Sequence, residues 1–304
     1  MDHKEKIRPL ILKQLIIFIL MWLGFTVIGY IIMGALANAL GIHDLKYLFE
    51  EMQKGNFLDQ INSIKILSGV AHVFSYLVPA LFFATYVYKK QAYKFLYLDK
   101  PPKLLNIPLT LAIVVLVFPL VSIIYYINMQ LVPSGWIAEE TLELQKLLLK
   151  MNTPTDLILN LVVVGLIAGI GEELVFRGVL QRLFSEYSNN RIIGIWVAAI
   201  LFSMIHFQPE GFVPRALLGA LFGYMLIWTG NLWVPILGHI TFNSSQVLVQ
   251  YVMLQSEKDM SLEELEYFPI VPTIISTIIT VVLVLILIRI NKDNAIRLTD
   301  KDIS

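Results

Sequence analysis

Between Lys13 and Asp44, and again between Lys103 and Glu139, the chain carries no aspartate, glutamate, lysine or arginine. Each stretch exceeds the roughly 20 apolar residues that cross a bilayer core. In that solvent a helix is the form that satisfies its own backbone hydrogen bonds. Composition points the same way. The 304 residues are 57% hydrophobic and 15% charged, with a mean hydropathy of +0.71, whereas soluble domains carry about 25% charged residues. The expected fold is all-α: a polytopic transmembrane helical bundle of about eight spans, over 14–40, 62–88, 104–127, 155–186, 191–207, 213–229, 231–251 and 269–291. Leucines at 142, 144, 147, 148 and 149 among Glu139, Glu140, Glu143 and Lys146 add an interfacial amphipathic helix over 137–150. With no internal repeat and no low-complexity linker, residues 1–304 read as one integral membrane domain.

Charge and cysteine usage narrow the chemistry. There are 23 basic and 23 acidic residues, which gives no pointer to a nucleic-acid partner. Cysteine is absent, so disulfides, thiolate zinc sites and a cysteine nucleophile are excluded. No cleavable signal peptide is evident: the basic N-terminus (Lys4, Lys6, Arg8, Lys13) leads into an apolar run too long for one. Lys89, Lys90, Lys94, Lys100, Lys103, Arg182, Arg191, Lys292, Arg297 and Lys301 fall on the side of that N-terminus. The opposite loops are acidic, with Asp44, Glu50, Glu51 and Asp59, then Glu257, Asp259, Glu263, Glu264 and Glu266. The positive-inside bias makes both termini cytoplasmic.

Within this apolar framework, residues 150–250 carry three polar motifs. Glu172 and Glu173 follow fifteen uncharged residues, Leu157 to Gly171, and Arg177 follows one turn later. A charge at bilayer depth costs roughly 2.5–3.5 kcal/mol on insertion scales, so such groups mark function. Glu173 and Arg177, four apart with the acid first, suit an ion pair. Glu172 points about 100° away and has no local cation, which fits a general base. His206 follows Phe202 by one turn. Glu172 lies seventeen residues before Asn189 in the polar turn Ser188-Asn189-Asn190, and His206 seventeen after it. In an antiparallel hairpin both sit about 25 Å from the turn, at one depth. His239 and Asn243 share a face of the seventh span and offer donors to a developing oxyanion. The plain alternative for them is interhelical hydrogen bonding. Pro235 and Gly238 leave room for a broken start to that span. His43, in an acidic loop, and His72, alone in the second span, read as non-catalytic.

The pattern Glu172-Glu173-x-x-x-Arg177, Phe202-x-x-x-His206 and His239-x-x-x-Asn243 resembles the CPBP family. This is the group of CaaX proteases and bacteriocin-processing or immunity proteins, also called the Abi family or CAAX prenyl protease 2 / lysostaphin resistance protein A-like. The resemblance covers residues 150–250, and all three motifs match. It implies an intramembrane endopeptidase that acts on a membrane-embedded or lipidated protein or peptide in the bilayer, here of a bacterial plasma membrane. It also implies catalytic roles for Glu172 as the base that activates water, for His206 in positioning that water, and for His239 and Asn243 at the oxyanion. Glu173, Arg177 and Phe202 then support the site, and no cofactor is required.

Rival chemistries remain. Ser203, Ser244 and Ser245 are available, but Ser203 lacks an orienting acid beside His206, which disfavours an acyl-enzyme. Glu172, His206 and His239 offer three ligands for a catalytic zinc, although no H-E-x-x-H helix is present. A non-enzymatic membrane immunity or transport protein is the alternative from another class.

Overall fold

In the computed structural model, the described residues are 3–43, 51, 60–137, 146–255 and 269–296. They form helices joined by turns and short connections, with no strand among the described residues. The main helices are α1 (His3–Ala39), α2 (Ile61–Phe95), α3 (Asn106–Leu131), α4 (Pro154–Ser188), α5 (Arg191–Met204), α6 (Phe212–Thr229), α7 (Trp233–Gln255) and α8 (Ile270–Asn291). Every expected span contains one of them, but the span count needs correcting. Six are long and apolar enough to cross a membrane. Helix α5 has only 14 residues, and α7 carries Asn243, Ser244, Ser245, Gln246 and Gln250, which lower its hydropathy. Most of the expected interfacial helix over 137–150, the acidic loops apart from Glu51, and the tail from residue 297 lie outside the described residues.

Helix α4 is the axis of the bundle. It packs against α2, α5, α6 and α7, and its C-terminal end meets α1. Half of its most apolar window is buried, against 17% for α1 and for α8. The sequence sets its ends. Thr153 Oγ1 accepts the Asp156 N–H at 3.3 Å, while Asp156 Oδ2 accepts the Thr153 N–H at 2.9 Å. Pro154 fills the first turn. This reciprocal cap satisfies donors that the helix start leaves orphaned. At the other end Asn189 takes the left-handed conformation (φ 54°), which Asn tolerates better than most residues. Asn190 Oδ1 then caps α5 by accepting from the N–H of Ile192 at 2.9 Å. The predicted polar turn is thus a tight antiparallel hairpin.

Small residues let the helices close on α4, as membrane packing favours. A Cβ at Gly165 would lie 2.6 Å from Ser244 Oγ, and one at Gly169 would lie 2.7 Å from Ile240 Cγ1, so α7 approaches along this glycine face. Gly219 and Gly223 do the same from α6. They bare carbonyls that accept from Arg177 Nη2 (2.9 Å) and Gln181 Nε2 (3.0 Å). One feature had no signature in the sequence pattern. The segments Leu161–Ile167 and Leu174–Leu180 of α4, and Val73–Leu77 of α2, are π-helical. Such wider turns occur frequently at functional sites.

Candidate active site

The buried centre of the bundle is a chain of charges. Glu173, fully buried, accepts from Arg177 Nη1 at 2.8 Å and from His239 Nδ1 at 2.8 Å, both through Oε1. The guanidinium lies over the rings of Phe202 (4.7 Å) and Phe222 (5.8 Å), and Phe222 also stacks on His239 at 5.5 Å. Arg177 is therefore held by an ion pair, a carbonyl and two aromatic faces. Breaking a buried pair by removing one partner costs about 3–5 kcal/mol.

Glu172 is different. It is 6% exposed and has neither lysine nor arginine within 4.0 Å among the described residues. It faces two imidazoles instead. His239 Nε2 lies 3.6 Å from Oε2, and His72 Nε2 lies 3.5 Å from Oε1. These separations exceed a formed hydrogen bond, though catalytic contacts of unliganded enzymes are often long. His72, expected to be a bystander, thus sits against the carboxylate. The signal that would have found it was the one applied to the other histidines: an ionisable side chain in a membrane span is a functional candidate by default.

Tautomers follow from the partners. Glu173 can only accept from His239 Nδ1–H, so His239 has a proton on Nε2 to offer only when its ring carries both. His206 Nδ1 donates to the Phe202 carbonyl at 2.7 Å, which leaves Nε2 of the neutral ring as an acceptor. His206 lies in the turn beyond the end of α5. Among the described residues neither of its nitrogens comes within 4.0 Å of Glu172 or Glu173. It is linked to the centre through Phe202, whose ring lies 5.1 Å from His206 and 5.7 Å from His239.

Equal arms bring two side chains to one depth only at one rise per residue. The α4 arm includes the π-helical run Leu174–Leu180 and the α5 arm unwinds after Met204, so the two side chains share a neighbourhood without touching. Asn243 Nδ2 donates to the Val164 carbonyl at 2.9 Å, tying α7 to the first π-helical run of α4. Helix α7 is continuous from Trp233, so its start is not broken. Pro235 falls in the first turn, where its missing N–H would have no helical partner.

The rival groups are accounted for. Ser203 Oγ donates to the Phe212 carbonyl at 2.7 Å, fastening α5 to α6. Ser244 packs on Gly165. Among the described residues no group of three or more His, Asp or Glu side chains is arranged to hold a metal ion. His43 pairs with Asn38 at the end of α1.

Two curated relatives, both from Bacillus subtilis (strain 168), are similar to part of the chain. The "Uncharacterized protein YpbD" is 31% identical over 104 residues, 33% of this chain and 48% of the relative. The "Putative membrane peptidase YdiL" is 25% identical over 92 residues, 30% of this chain and 37% of the relative. The chain thus spans less than half the length of either. No solved structure matches significantly. Residues 154–245, from the start of α4 into α7, match the family described as type II CAAX prenyl endopeptidase Rce1-like. The segment that brings Glu172, Glu173, Arg177, His206, His239 and Asn243 into one neighbourhood is the segment that matches this family.

Proposed function

We propose that the chain is an intramembrane endopeptidase that hydrolyses a peptide bond of a membrane-associated or lipidated substrate with a water activated by Glu172. The observation that carries the reading is the asymmetry of the acidic pair. Glu173 is tied to Arg177 and His239, whereas Glu172, one residue earlier, is left with two imidazoles and no fixed cation. A buried base must be free to take a proton, and only Glu172 is.

In this reaction Glu172 takes a proton from water as the water oxygen bonds to the scissile carbonyl carbon. His206 Nε2, the free acceptor, orients that water. His239 and Asn243 line the position of the carbonyl oxygen, and Asn243 donates its second Nδ2–H as that oxygen gains charge. Glu172 then passes its proton to the departing amine as the C–N bond breaks, and no covalent intermediate forms. Glu173 and Arg177 hold His239 in register, and Phe202 packs between the two motif histidines. The substrate class follows the family: a protein or peptide reached at the membrane, with both termini of the enzyme on the cytoplasmic face of a bacterial plasma membrane.

The test uses a quenched-fluorescent peptide with a farnesylated cysteine four residues from its C-terminus and the full chain in liposomes. Glu172→Gln is expected to lower turnover by at least about 10²–10⁴-fold, the range of a general base, with unchanged thermal unfolding. A membrane peptidome compared between wild type and this variant extends the search beyond prenylated substrates. Normal turnover by Glu172→Gln would end the proposal.

A further inference from the structure

His72 belongs to α2, outside all three motifs and outside the matched residues 154–245. Four observations concern it. Its Nε2 lies 3.5 Å from Glu172 Oε1. That nitrogen is buried and has no hydrogen-bond partner, a condition rarely left unmet in a protein interior. Its ring is fixed: it stacks on Tyr76 with centroids 4.3 Å apart and planes at 24°. Tyr76 is flanked in turn by Trp22 at 6.0 Å and Phe176 at 6.5 Å.

The backbones are also brought together at this point. A Cβ at Gly171, the residue before Glu172, would stand 3.0 Å from Tyr76 Cβ and 3.8 Å from His72 Cδ2. His72 ends the α-helical run Ile61–His72 and Glu173 ends the run Ala168–Glu173, and each run passes directly into a π-helical turn. The two helices therefore change their winding where they meet around Glu172.

Tautomers separate the two imidazoles that face Glu172. His239 spends Nδ1–H on Glu173, so its neutral ring presents a bare Nε2. His72 has no such commitment at Nε2, and its neutral ring can place a proton there. We infer that His72 is a positioning residue for Glu172: its neutral ring donates Nε2–H to Oε1, fixing the carboxylate so that Oε2, on the His239 side, takes the water proton. The inference rests on the reading of Glu172 as the base and names a further residue of the same site. Oε1 is the acceptor Nε2 already faces, and a short closure turns the approach into a charge-assisted bond.

The bland role for His72 is as a filler stacked on Tyr76, and two variants separate the roles. His72→Phe keeps the stack and removes the donor. His72→Gln keeps a donor near Nε2 and loses the ring. With the farnesylated peptide in liposomes, His72→Phe is expected to lower kcat about 10- to 100-fold, as loss of a hydrogen bond to a charged group does, with KM little changed. His72→Gln is expected to recover most of that loss. Full kcat in His72→Phe beside an inactive Glu172→Gln overturns the inference and leaves the catalytic reading standing. Equal loss in both His72 variants overturns it as well.

If wild type cleaves nothing, the catalytic reading falls, and His72 is decided without turnover by imidazole ¹⁵N NMR of the full chain in nanodiscs. A protonated Nε2 on a neutral ring, with a resonance that moves in Glu172→Gln, supports the bond. A bare Nε2 overturns it.

Discussion

Helices α4 and α8 are both apolar segments that cross the bundle, yet they are built on different terms. Helix α8 is α-helical from Ile270 to Asn291 and turns most of its side chains outward, with Val271, Ile278 and Leu285 all more than half exposed. Any apolar residue of similar shape serves there, because lipid is as good a neighbour as protein. Helix α4 buries Glu172, Glu173, Arg177, Gln181 and Arg182, closes on its neighbours through glycines and carries two π-helical runs. The difference shows where specificity is stored. The rim is defined by hydropathy, and the axis by hydrogen bonds that must all be made at once.

That contrast predicts a graded response to substitution. Arg177→Met should have the largest effect on stability, about 3–5 kcal/mol, because it leaves Glu173 buried without its cation. It also removes the Arg177 donor from the Gly219 carbonyl. Chemical unfolding in detergent micelles measures it, and a loss below about 1 kcal/mol would mean that the guanidinium and its ion pair do not hold the axis. Gly169→Ala should come next. Its Cβ would meet Ile240 Cγ1 at 2.7 Å and Ile240 N at 3.0 Å, and overpacking of this kind costs about 1–3 kcal/mol. Because Ile240 adjoins His239, turnover should fall in the same variant, read by cleavage at saturating peptide. Ile278→Ala on α8, a side chain 59% exposed, should change stability by less than about 0.5 kcal/mol and leave cleavage alone. A large effect there would erase the distinction between rim and axis.

The same division governs what could be read from the sequence. The rim was legible from uncharged length, since hydropathy is what makes it a rim. The α4–α5 hairpin was legible from Ser188-Asn189-Asn190, whose side chains cap one helix and start the next. The Glu173–Arg177 pair was legible from a spacing of four. The path of α4 near the site was not, because π-helical winding arises from tertiary packing and leaves no periodic mark. This is why arms of equal length left His206 short of Glu172. His72 was overlooked for a related reason. Its partner is 100 positions away across a helix contact that Gly171 permits, and neither residue has a local pattern that names the other. The Val164 carbonyl that accepts from Asn243 lies on a segment whose winding could not be foreseen.

Phe202 has one more consequence. Its ring touches Phe176, His206, His239 and the Arg177 guanidinium. Polar groups in a medium of low permittivity attract strongly, and Phe202 stands between His206 and His239. A hydrocarbon disc, inert to both, keeps them a ring's width apart. The least reactive member of the motif thus acts as a wedge between the two imidazoles.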